Sequence, residues 1–211
     1  MTRMRIMNRI LAGAAMAIVA AAATSCGDVV RSGRAPVFLV IDSLGGARGP
    51  STTIVATVAS DVITNVTSPA PCTVDRPCPT IFGDIGEASL RIVPKDIGPT
   101  GGATPSTNNE VTITRVHVAY RRADGRNVEG RDVPYAFDGA ATGTVPSGGS
   151  LKLGFVLVRN TAKSESPLVQ LQSNGIIITT ICDITFYGQD RVGNDISVTG
   201  SIQVDFGNFG D

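Results

Sequence analysis

Four cysteines, a single histidine and a scatter of carboxylates are the side chains of this chain that can do chemistry, and their spacing narrows what kind. Cys72 and Cys78, with five residues between them in a proline-rich stretch, are placed to close a short disulfide loop. An oxidising compartment would favour that bond, and a loop of this size contributes roughly 2 kcal/mol in the chain-entropy account. Zinc is the sharper alternative, but it takes about four ligands and no second cysteine pair exists, so no metal is expected. Cys182 falls on the apolar side of an alternating run and reads as a buried, inert thiol. His117 sits between Val116 and Val118 in another such run. A histidine base needs a positioned nucleophile and an orienting acid, and no Gly-x-Ser-x-Gly elbow is present. Asp183, Asp190, Asp195, Asp205, Glu87 and Glu129 leave a carboxylate-based hydrolase open, although their spacing signals nothing. Asp190, Asn194 and Asp195 offer oxygens to calcium, yet calcium wants six to eight of them and turn formation explains the same residues. Gly83-Asp84-Ile85-Gly86 lacks the lysine of a phosphate loop, and three tyrosines without tryptophan offer little to a sugar. No cofactor is expected, and no catalytic residue is assigned.

Cys26 has a different setting. Arg3, Arg5 and Arg9 precede fourteen apolar or small residues, Ile10 to Ala23, and the cysteine follows in Ala23-Thr24-Ser25-Cys26-Gly27. A membrane-spanning helix needs about 20 apolar residues, so residues 1–25 read as an export signal. The cysteine after small residues resembles the lipobox of bacterial lipoproteins, with Ala23 where leucine is usual. That resemblance implies that Cys26 becomes the first mature residue and carries the acyl chains. Cleavage at Ala21-Ala22-Ala23, releasing a soluble protein with a free thiol, is the competing reading. Residues 26–35 then form the lipidated start and tether, and residues 36–211 the folded domain. The nine residues after Cys26 reach ~30 Å at full extension.

These features need a scaffold, and the composition names its class. Without residues 1–25 the chain keeps 15 of its 18 basic side chains against all 18 acidic ones. That near-neutral balance argues against nucleic acid, which wants a basic patch. The remaining 186 residues fit one domain and can bury ~70% of their unfolded surface. Glycine (24) and proline (12) punctuate runs rich in Val, Ile and Thr. No helical apolar period persists beyond about two turns. Nine strands are expected: Val37–Ile41, Thr53–Ser60, Ala88–Val93, Val111–Arg121, Val133–Phe137, Thr142–Val145, Leu151–Val158, Ile176–Tyr187 and Ile196–Phe206. In the last, Ile196, Val198, Gly200, Ile202, Val204 and Phe206 alternate with polar residues, so one face meets a core and the other water. Ala123-Asp124-Gly125-Arg126 suggests a second hairpin, with Asp-Gly at its tight turn, and Leu168–Gln172 a short helix.

The segment Phe186 to Asn194, with Asp190, Gly193 and Asn194 between two alternating runs, is similar to the final hairpin of many bacterial immunoglobulin-like domains. The resemblance covers roughly the last 30 residues and implies an all-β, antiparallel immunoglobulin-like β-sandwich. The paired core cysteines and buried tryptophan of true immunoglobulin domains are missing. Two long connections, 66–86 and 94–110, exceed ordinary turns. If successive strands simply alternate in direction, loops 43–52, 94–110 and 159–175 share the end away from the tether, while 66–86 and 188–194 lie near it. Arg48, Asn108, Asn109, Lys163 and Glu165 on the distal loops are the candidate binding residues. The expected function is a lipid-anchored cell-envelope protein, held to a bacterial membrane by its acyl chains. It would act as a non-enzymatic binding or assembly module for a protein partner on the periplasmic or surface face. The alternatives are a ligand-carrying β-barrel and the carboxylate hydrolase.

Overall fold

A computed structural model describes residues 34–95 and 105–210. Residues 1–33, with Cys26, and the middle of the 94–110 connection lie outside the described residues. Two sheets carry the architecture. Strands β1 (Val37–Ala47), β5 (Asp84–Pro94) and β8 (Ser150–Val158) form one, in the order β1-β5-β8, wholly antiparallel. The other contains β2 (Thr57–Asp61), β6 (Val111–Arg121), β7 (Phe137–Val145), β9 (Ile178–Asp190) and β10 (Asp195–Gly207), in the order β2-β10-β9-β6-β7. A small hairpin of β3 (Thr64–Val66) and β4 (Cys78–Thr80) stands apart. The neighbours β5–β8 and β10–β9–β6 match those of strands B–E and G–F–C in immunoglobulin sandwiches.

Alternation of apolar residues sets the faces. Leu90, Leu157, Ile113, Ile184, Phe186 and Phe206 point inward and are fully buried. The sheets meet through aromatic contacts: Phe155 of β8 stands edge-on to Phe186 of β9 at 5.4 Å. Tyr120 of β6 donates its hydroxyl across the core to the Leu157 carbonyl at 2.6 Å. Burial pushes its phenol well above the ordinary value, which keeps it a donor. Side chains therefore fill the space between the sheets, as in a sandwich core.

Several expected strands differ in extent. Val133–Phe137 is not a separate strand. Val133 makes only an isolated bridge with Glu129, and Phe137 opens β7, which absorbs Thr142–Val145 as well. Asp124-Gly125 does make a turn, with Gly125 at φ +79° and its N–H donating to the Arg122 carbonyl. It does not join the strands as a tight hairpin: β6 and β7 pair antiparallel across the longer connection 122–136. Residues 122–136 carry arginine–carboxylate pairs such as Arg122–Asp124 and Arg131–Asp132 in place of an alternating apolar run. Leu168–Ser173 is a 3₁₀ turn, and an unexpected single turn of helix, α1 (Asn160–Lys163), precedes it.

The decisive departure is β2. It runs parallel to β10, pairing Thr57 with Gln203 and Asp61 with Gly207. The chain therefore leaves the end of β1, crosses from one sheet to the other, and continues toward the same end. Strict alternation of direction fails at this crossing. Val37 pairs with Pro94, and Pro36 accepts a hydrogen bond from the Lys95 backbone, so connection 94–110 begins at the pole where β1 starts, the near pole. Ala47, Ile85 and Val156 meet at the other end, which carries the loops after β1 and β8 and the β3–β4 hairpin. The three loops expected to cluster do not: the described ends of 94–110 lie at the near pole, and 66–86 lies at the far one. The turn 188–194 lies at the near pole, as expected, because Asp190 pairs with Val111.

Candidate functional site

At the far pole a buried polar network takes the place of apolar packing. Asp84 opens β5 on its inward parity, followed by Gly86, Ala88, Leu90 and Ile92. Its carboxylate is fully enclosed and accepts three hydrogen bonds. Lys163 Nζ donates at 2.9 Å, Ser60 Oγ at 2.5 Å and the Gly49 backbone N–H at 2.7 Å. Lys163, at the end of α1, also donates to the Asp61 carbonyl at 2.8 Å. Burial lowers the Lys163 ammonium from its ordinary value, while Asp84 pulls it the other way. Four separate segments are thus tied at one point: the loop after β1, the end of β2, the start of β5 and α1.

The network braces a groove of about 280 Å³ lined by Arg48, Gly49, Pro50, Ser51, Asp61 and Thr64. The turn that forms its rim closes through Ser51 N–H on the Arg48 carbonyl, and Gly49 sits at φ +47°, a conformation that favours glycine. The Arg48 side chain is exposed and makes no hydrogen bond or ion pair among the described residues. Asp61 is only 7% exposed, yet its carboxylate accepts long bonds alone: Thr64 Oγ1 at 3.4 Å, Phe209 N–H at 3.4 Å and Ile63 N–H at 3.5 Å.

The five candidate binding residues separate. Arg48 lines the groove. Lys163, expected as an exposed loop contact, is instead buried against Asp84 and braces the loop from within. Glu165 is exposed beside α1 at the same pole. Asn108 and Asn109 belong to a short 3₁₀ turn at the near pole, where the Asn109 side chain accepts the Ser106 N–H at 2.8 Å. Asp84, Asp61 and Ser60 are the residues that reading the sequence missed as a group. The available signal was an aspartate on the inward parity of β5.

The remaining candidates resolve individually. Cys72 and Cys78 form a disulfide that ties the β3–β4 hairpin. Cys182 is buried on β9, and burial pushes its thiol far up. His117 points outward with Nδ1 3.1 Å from Asp138, whose carboxylate also takes Arg115 at 2.6 Å. The candidate carboxylates are dispersed among different partners. Asp183 takes Arg121 and Ser201, Asp195 takes Gln189, Asp205 takes Gln203, Glu87 faces Lys152, and Glu129 accepts the Ala136 N–H. Asp190 shapes the β9–β10 turn by accepting the Val192 and Asn194 N–H groups. Among the described residues no three His, Cys, Asp or Glu side chains gather as a metal would require, and no helix is long and apolar enough to cross a membrane. No protein-family model matches the chain, and no curated protein is similar to it at a meaningful level.

Proposed function

We propose that this chain is an exported cell-envelope protein, anchored through acyl chains on Cys26, and that its β-sandwich acts as a non-enzymatic binding or assembly module through the pole opposite the anchor. The observation that supports this reading most is the direction of β1. The tether would enter at Pro36, and β1 runs from Val37 to Ala47 before the chain reaches the groove at Arg48. Eleven extended residues span about 36 Å, which separates an anchored end from a presented one. The packed interior supports a module that works through its surface over a carrier with an internal ligand cavity.

Metabolic labelling with palmitate and partition into detergent test the anchor. The wild-type protein incorporates label and partitions with the detergent, whereas Cys26→Ser does neither. One acyl chain holds a protein only marginally and two hold it stably, so release of the variant is nearly complete. A mature N-terminus at Thr24 with an unmodified thiol at position 26 overturns the proposal.

A further inference from the structure

We infer that the groove bounded by Arg48, Ser51 and Asp61 binds a small zwitterion, of the size of a free amino acid or a dipeptide. The inference rests on the groove alone and stands whether or not Cys26 is acylated. Three observations carry it together.

The first is charge accounting. Lys163 is matched by Asp84 at 2.9 Å within the brace. That leaves Arg48 and Asp61 without a partner in direct contact, one of each sign, although the Asp61 charge also acts on Lys163. They line the same groove, and neither makes an ion pair among the described residues. A purely anionic ligand would meet the Asp61 carboxylate, and a purely cationic one the Arg48 guanidinium. A ligand with both charges is complementary to both.

The second is unused bonding capacity. A carboxylate has about four acceptor sites, and those of a buried one are normally well filled. Asp61 is more than nine-tenths buried, yet no bond to its carboxylate is shorter than 3.4 Å. An ammonium group in the groove would give it a short, charge-assisted partner. Arg48 offers a planar fork that matches a carboxylate bidentately, and the Ser51 hydroxyl is free to donate beside it. The third is size and rigidity. A volume of 280 Å³ lies just below the range for drug-sized ligands, which admits one or two residues. The Asp84 network holds the Gly49 turn and the Asp61 backbone in place before any ligand arrives.

Saturation-transfer NMR on the full-length protein in detergent, with L-alanine and Ala-Ala as probes, tests this. At least one zwitterion gives transfer that titrates to saturation. N-acetyl-Ala-Ala and Ala-Ala amide, each lacking one charge, bind at least about tenfold more weakly. Arg48→Gln, at an exposed position, leaves the protein folded by circular dichroism and abolishes binding. Asp61→Asn weakens the zwitterion and N-acetyl-Ala-Ala unequally, with the larger loss for the zwitterion. If neither probe shows transfer, if either capped form binds as well as its parent, or if Arg48→Gln binds like wild type, the inference is overturned. None of those outcomes bears on palmitate labelling, so the anchor is judged separately.

Discussion

Lys163 illustrates how a residue's type misleads about its place. A lysine in a polar loop reads as solvated, yet this one is sealed under the far pole with its ammonium on Asp84. Removing one partner of a buried ion pair leaves an uncompensated charge, so Lys163→Met is expected to cost roughly 3–5 kcal/mol in urea unfolding. The conservative exposed change Glu165→Gln on the same loop should stay within about 0.5 kcal/mol. The pair also gives a pH signature. Burial depresses the lysine's folded value below 10.5, so the unfolded chain binds that proton more tightly across the interval between them. Stability contributed at this site therefore rises as pH climbs through that interval towards 10.5. Thermal melts should show wild type gaining on Lys163→Met over that range. A gap that stays constant would place the lysine in a solvated site, and one that narrows would mean that Asp84 outweighs burial.

At the scale of elements, the last two long strands show how close packing fixes register. Gly188 of β9 faces β6, and a Cβ there would lie 2.5 Å from the Thr112 carbonyl oxygen, which belongs to backbone and cannot rotate away. Gly188→Ala is expected to destabilise the domain by about 1–3 kcal/mol, whereas Gly148→Ala, with nothing within 4 Å of the added carbon, should be silent in the same melts. The β9–β10 turn depends on Asp190, whose carboxylate accepts from Val192 N–H, Asn194 N–H and Asn194 Nδ2. Asp190→Ala removes all three and should cost about 1–3 kcal/mol, with faster amide exchange at 188–196. Both strands were visible in the sequence, because period-two alternation is a local property. The parallel pairing of β2 with β10 was not, since nothing local distinguishes a strand that returns from one that crosses to the other sheet.

For the whole molecule, the two poles differ in make-up. The near pole gathers Pro36, Lys95 and the 188–194 turn, and the far pole gathers the groove, its brace and the disulfide hairpin. Cys72–Cys78 closes only that hairpin, and few core residues lie between Val62 and Asp84. Cys72→Ser with Cys78→Ser should therefore speed hydrogen exchange at 66–80 while leaving the sandwich folded. In the unreduced wild-type protein Cys72 and Cys78 should resist alkylation until reduced, and Cys182 should react only after unfolding. Loss of protection across β6, β9 and β10 in the double variant would show that the hairpin supports the core.

The sequence alone determined the all-β class, the inward faces of β9 and β10, the Cys72–Cys78 pairing and the turn at Asp190. Each follows from alternation, spacing or turn chemistry within a few residues of chain. Only the tertiary structure decided which loops share a pole, that Lys163 is buried, and that Asp61 and Arg48 line one groove. Those outcomes join segments as much as 102 residues apart, as Lys163 and Asp61 are. The crossing between sheets after β1 reverses the poles of 66–86 and 94–110, and the merging of two expected strands into β7 returns 159–175 and 188–194 to theirs. Burial of apolar faces constrains which side of a strand points inward, but it is indifferent to which neighbour lies beside it and to which end of the sandwich its loops emerge.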